Sequence, residues 1–317
     1  MSRWTRMTIA LTPGLLVLAS CTEHTTSSEA VTSGDQATAA ELAVAANSWT
    51  ARALMPTGRI GLAAAVVINS LHQPVLYAIG GNDGSGLTLS TVDAYDFATN
   101  TWSTKAPLPD RLEETNGAGA IAGKVYVSGG RDIDNHSPGS DDGAPRSSLY
   151  VYDAANDRWS RKADMPLPSI GGVTGVISGK LYVLNALYNR FYRYDPATDS
   201  WSTRAKCPIG HFRGVGAVIN GKLYVTGGVR YTAYGPIAIR RLHVYDPVSN
   251  TWSEKAVMPH AVSSPAGARL LGQLYVLGGS LMIAPETTCK PTIRSRTPGC
   301  SRPLYPRSAS FLPLRIS

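Results

Sequence analysis

Apolar and polar residues alternate in short runs along most of the chain, the period-2 pattern of a strand with one buried face. Leu149, Val151 and Asp153 alternate with Tyr150 and Tyr152, and Leu223-Tyr-Val-Thr226 leads straight into a glycine pair. These runs recur in a fixed order. A strand closing on Gly-Gly is followed by a strand closing on Tyr-Asp, and a Trp stands six residues after that Asp: Asp96 and Trp102, Asp153 and Trp159, Asp195 and Trp201, Asp246 and Trp252. The glycine doublet ends the runs at 76–81, 125–130, 223–228 and 274–279, and is lost after Leu181-Tyr-Val-Leu-Asn185. Self-similarity of this kind marks an array of one supersecondary unit, here all-β.

Local chemistry fits each word of the unit. Asp195-Pro-Ala-Thr-Asp199 and Asp246-Pro-Val-Ser-Asn250 carry tight-turn residues, which predicts a hairpin between the Tyr-Asp and Trp strands. Adjacent glycines suit a strand end where φ turns positive or another backbone passes close. Asn185 tolerates the left-handed region and reads as a partial substitute for the missing doublet. The Trp rings read as filler between neighbouring units.

Taken together, these features resemble the kelch repeat. The resemblance covers roughly residues 47–284 and implies a kelch-type β-propeller of four-stranded antiparallel blades. Four units are complete, at about 57–104, 109–161, 167–203 and 209–254; a fifth begins at Val262 and stops at Gly279. The expectation is therefore about five blades with the last incomplete, fewer than the six or seven usual in the family. Asn47-Ser-Trp49 and Met55-Pro56 match the outer strand and exit of a unit that nothing precedes. A strand at Trp49 is expected to complete the blade of Gly278 and Gly279, hiding edges that would otherwise pair with other chains. After Ala284 the chain turns to Pro, Arg and Ser, compatible both with a small propeller and with an abnormal end such as a shifted reading frame.

The first residues read as an address. Arg3 and Arg6 precede an apolar run from Met7 to Ala19, too short to span a bilayer, and Leu18-Ala-Ser-Cys21 resembles the lipobox of bacterial lipoproteins. That resemblance implies cleavage before Cys21, lipid on its thiol, and export to the bacterial cell envelope with the membrane as a partner. Thr22, where an inner-membrane retention Asp would stand, points to the outer membrane or cell surface. Residues 1–20 are then a signal peptide, 21–46 a disordered Ser/Thr-rich tether, 47–284 the propeller and 285–317 an irregular tail.

Charge and cysteines narrow the classes. The formal net charge is +8, but Arg3 and Arg6 lie in the signal and a surplus of Lys and Arg lies in the tail, so tether and propeller together carry only about +1. A nucleic-acid partner is not expected. Cys207 stands before Pro208 where other units have Met55, Leu108, Met165 or Met258, and reads as a small apolar substitute at a blade edge. Cys289 and Cys300 can form a disulfide in an oxidising compartment. They lack a His spaced as a zinc ligand, and the few His residues are dispersed, unlike the copper site of galactose oxidase; neither metal nor cofactor is expected.

Candidate chemistry lies in what fails to repeat. Counted back from the Tyr of each Gly-Gly strand, the lead-in positions hold Arg59 or Ile60, Glu113, Ser169, His211 and Val262, with Arg111, Glu114, Asn116 and Arg213 nearby. Arg59 and Arg213 resemble lead-in arginines that kelch proteins often aim at a ligand. The candidate binding set is Arg59, Arg111, Glu113, His211 and Arg213, suited to an acidic sugar or peptide through bidentate Arg contacts. Taken singly, each also reads as a solvated loop charge. The oxygen-rich insertion at 131–143 lacks the Asp spacing of an EF-hand and reads as a mobile acidic loop. Arg230, Tyr231 and Tyr234 read as a contact surface or a cover for a blade edge. The expected function is a non-enzymatic binding module for a glycan or protein. The alternative is a mutarotase or epimerase resembling sialate mutarotase, with Glu113 or His211 as acid/base and Arg59 and Arg213 clamping the carboxylate of an acidic sugar.

Overall fold

A computed structural model of the chain describes residues 50–133, 143–233, 235–281 and 314–316. The signal, Cys21, the tether and the Trp49 strand lie outside the described residues, as do most of the acidic insertion, Tyr234, Cys289 and Cys300.

Every regular element among the described residues is a strand. Blade 1 is built from Ala63–Ile68, Pro74–Ile79, Val92–Asp96 and Thr101–Lys105, hydrogen-bonded in that order. Blade 2 (Ala118–Ile121, Lys124–Ser128, Leu149–Asp153, Arg158–Lys162) and blade 3 (Val173–Ile177, Lys180–Asn185, Arg190–Asp195, Ser200–Arg204) repeat the pattern. Blade 4 runs Val215–Ile219, Lys222–Thr226, Leu242–Asp246, Thr251–Lys255, with the hairpin Val229–Thr232 and Gly235–Ala238 inserted before its third strand. The fifth blade has Ala266–Leu270, Gln273–Leu277 and Leu314–Ile316.

That last strand changes the reading of the tail. Ile316 stands opposite Leu274 as Tyr245 stands opposite Leu223 in blade 4. The tail, expected to be irregular, thus supplies the third-strand place of the fifth blade. Asn185 departs from expectation as well: blade 3 continues its strand through Asn185, which pairs with Arg190, and the left-handed residue of that turn is Asn189 (φ 54°). The Asn185 amide instead donates to Pro168 O at 2.8 Å.

The repeated words are joints between blades. The Tyr-Asp and Trp strands form the expected hairpins, and in each Tyr faces Trp across the ladder: Tyr95 and Trp102, Tyr152 and Trp159, Tyr194 and Trp201, Tyr245 and Trp252. The Tyr hydroxyl donates to the Asx side chain that closes the turn, Asn100, Asp157, Asp199 or Asn250, at 2.6–2.7 Å. The same Asx oxygen accepts the amide of Ala53, Ala106, Ala163 or Ala205, and the Trp indole returns a bond of 2.8–2.9 Å to that Ala's carbonyl. Ala106, Ala163 and Ala205 leave the preceding blade. The Trp ring therefore fills space between blades and also latches one to the next.

Glycine is forced at two kinds of place. Gly80 has φ 61°, and a Cβ there would lie 2.3 Å from Leu112 O. A Cβ on Gly175, in an inner strand, would lie 2.7 Å from a Leu223 methyl of the next blade. The inner strands of all five blades line a channel of about 500 Å³, to which Val66, Gly119, Gly175, Gly216 and Gly267 contribute.

Candidate functional site at the channel mouth

The chain enters each inner strand through one left-handed residue. These are Gly61, Glu114, Gly171, Arg213 and Ser264, with φ between 48° and 63°. They are tied blade to blade: Glu114 N donates to Gly61 O, Gly171 N to Glu114 O, and Arg213 N to Gly171 O, at 2.7–2.9 Å. Glycine is at ease in this conformation, whereas Glu, Arg and Ser pay roughly 1–2 kcal/mol each. Two of those costly places carry the charges of the mouth. Arg213 pairs with Glu114, whose other oxygen lies 3.1 Å from Arg131, and Arg131 Nε reaches Glu113 at 3.2 Å. Beside them the Arg213 guanidinium stacks 5.2 Å over the Phe212 ring, itself 5.6 Å from exposed Tyr231. Arg213 is the more open of the two cations, at 46% side-chain exposure, while the Glu carboxylates are withdrawn.

Two residues before the left-handed position, the side chain turns into its own blade in blades 1, 2 and 4. Arg59 is buried there, ion-paired to Asp93 and donating to Thr91 O (2.9 Å), Thr91 Oγ1 (2.8 Å) and Gly80 O (3.3 Å). His211 is its counterpart in blade 4. Its Nδ1–H donates to Gly227 O at 2.9 Å, which leaves Nε2 to accept from His243 Nδ1–H, also at 2.9 Å. Burial pushes the His211 imidazole down to about 4, helped by neighbouring His243, and burial likewise lowers His243. Cys207, fully buried, completes this corner with its thiol pushed up to about 12 by burial.

The Kelch motif family model matches residues 70–109 and 213–259. The chain is 30% identical over 210 residues to Kelch-like protein 35 of Homo sapiens, covering 65% of this chain and 26% of that protein. It is 30% identical over 186 residues to Kelch-like protein 25 of Xenopus tropicalis (55% and 30% covered), and 26% identical over 131 residues to Beta-scruin of Limulus polyphemus (40% and 13%). The solved structure of YjhT matches with a TM-score of 0.62 at 18% identity, covering 74% of this chain and 81% of that one, a likeness of fold.

The chain is a kelch-repeat β-propeller. It spans about a quarter of the length of Kelch-like protein 35.

In this kelch propeller the five residues singled out from sequence do not form one cluster. Arg213 and Glu113 belong to the network at the mouth, Arg59 and His211 are committed inside blades 1 and 4, and Arg111 is exposed one residue before buried Leu112. Counting from the Gly-Gly strand misplaced Glu113 by one. Five residues separate Glu114 from Gly119, the partner of Tyr126, whereas four separate each other left-handed residue from its equivalent, as from Gly171 to Gly175. The extra residue in blade 2 makes Leu112 the true counterpart of Arg59 and His211. Glu114 stands beside the set and Arg131 opens the acidic insertion; the bridge of Glu113 to Arg131 lies inside blade 2 and repeats as Ile60 with Asn82 and Phe212 with Val229, whereas Glu114 meets Arg213 only through the packing of separate blades.

Proposed function

We propose that this kelch propeller is an exported, lipid-anchored binding module whose channel mouth holds a protein segment. Kelch propellers are typically protein-binding modules. The observation that carries the reading is the half-open Arg213 held at the mouth by Glu114 and stacked on Phe212 beside exposed Tyr231. Arg213, Phe212 and Tyr231 offer an Arg and aromatic rings side by side, the chemistry enriched at interface hot spots. Arg131 and Arg213 are already neutralised by Glu113 and Glu114, which supports a partner of mixed charge over a strongly anionic sugar. The mutarotase alternative needs an acid/base group open to the mouth; Glu113 is held by Arg131 and His211 is buried, so binding is the better supported reading.

A photo-crosslinking residue placed at Tyr231, and at Val248 in an outer turn as control, tests the mouth in intact cells. A defined protein adduct is expected from position 231 alone, and is expected to weaken when Arg213→Ala is added. Equal adducts from both positions, or none, would reject the mouth as the binding surface. Palmitate labelling that disappears in Cys21→Ser supports the anchor; labelling that persists sinks it.

A further inference from the structure

Three positions, the third distant in sequence from the other two, meet in the same corner of a blade: the residue before the exit Pro, the residue two before the left-handed lead-in, and the second residue of the third strand. In blade 2 they are Leu108, Leu112 and Tyr150, an apolar set within one core. In blade 4 they are Cys207, His211 and His243, so all three have become residues that bind metals.

The corner has the features of a coordination site. One donor atom from each residue, the Cys207 thiol sulfur and a ring nitrogen of each His, lies within 4.8 Å of the other two. All three residues are buried, at 0%, 0% and 1% exposure. Supporting bonds are in place: Gly227 O fixes the His211 tautomer so that Nε2 faces the corner, and the Ile209 amide donates to the Cys207 sulfur. Backbone partners of this kind orient ligands in metal centres.

We propose that Cys207 Sγ, His211 Nε2 and His243 Nδ1 bind one thiophilic d10 cation, zinc(II) or copper(I), stapling the exit of blade 3 to blade 4. Metal–sulfur and metal–nitrogen bonds of about 2.3 Å and 2.0–2.1 Å place such ligands roughly 3.3–3.8 Å apart. The two ring nitrogens stand at 2.9 Å, so the imidazoles open by roughly half an ångström on binding. Binding releases the Cys207 thiol proton to solvent. The Nδ1 proton of His243 moves to its Nε2, and the bond between the two imidazoles gives way to two bonds to the cation. Copper(I) is satisfied by these three donors, whereas zinc(II) completes its shell with a water.

The test uses the full chain, reduced, with cobalt(II) as the zinc probe and a copper(I) competition against bathocuproine. One ion per chain is expected, with a thiolate-to-cobalt charge-transfer band in the near ultraviolet that zinc abolishes; the tighter arm names the ion. Cys207→Met and His243→Tyr install residues that other blades hold at these places, and circular dichroism checks that both fold. Each is expected to lose the band and to weaken binding more than about a hundredfold, beyond the 10- to 100-fold cost of losing a merely supporting group. Absence of binding in both arms of the wild-type protein overturns the proposal. So does undiminished binding in the two variants, which would place the ion on Cys21, Cys289 or Cys300.

Discussion

Arg59→Leu is the substitution that separates the two possible lives of that residue. A guanidinium aimed at a ligand would be missed in binding and hardly at all in stability. In the structure it is fully buried against Asp93, and Thr91, Gly80 and Thr57 accept from its other donors. Without it, Asp93 keeps one side-chain hydrogen bond, from Thr104 at 3.1 Å, and stands as an uncompensated charge inside blade 1. Breaking a buried pair from one side costs about 3–5 kcal/mol, and Asp93→Tyr should cost a similar amount from the other side. Blade 2 solves the same corner with Leu112 and Tyr150, so Arg59→Leu combined with Asp93→Tyr removes both charges and fills the space with residues that the fold already accommodates. That double variant is expected to lose less than either single one, giving a coupling energy of at least about 3 kcal/mol. Denaturant unfolding followed by Trp fluorescence, with slopes compared across the cycle, measures it. A cost below about 1 kcal/mol for Arg59→Leu, with additive energies, would refute the internal pairing and return Arg59 to the ligand.

Two further outcomes follow from the latches between blades. Trp201→Phe keeps a ring but deletes the 2.8 Å bond to Ala163 O, for a loss of about 1 kcal/mol in denaturant unfolding, whereas Trp201→Ala should cost about 3–5 kcal/mol. Asp157 and Asp199 sit below the usual carboxylate range because Tyr152 and Tyr194, and then the amides of Ala106 and Ala163, donate to the charged form. Their stabilisation is complete above the ordinary value of 3.8 and is lost as pH falls through the lower folded value. Blades 1 and 4 use Asn100 and Asn250 there, so Asp157→Asn with Asp199→Asn should narrow the gap in melting temperature between pH 7 and pH 3. An unchanged gap would show that acid acts elsewhere.

The sequence by itself determined the architecture, because the residues that build a blade are those that packing repeats. Tyr, Asp and Trp keep their spacing since each must meet its partner across a hairpin and latch the neighbouring blade, and Gly-Gly recurs where φ is positive and another backbone passes within reach. Distances along the chain encode these contacts, which are local or regularly offset. Partnership among the residues that vary was decided by tertiary structure alone. One added residue in blade 2 shifted the count and hid the kinship of Leu112 with Arg59 and His211. Whether an Arg faces a ligand or an Asp on its own blade depends on which way its side chain turns after the lead-in, and the alternation at Arg59 does not record it. Cys207 meets His243 across a fold of 36 residues, Glu114 meets Arg213 across 99, and the last strand comes from a tail whose composition carries no strand signal. Those meetings exist only once the chain has folded, because each is made in a single blade or between a single pair of segments and so leaves no period in the sequence.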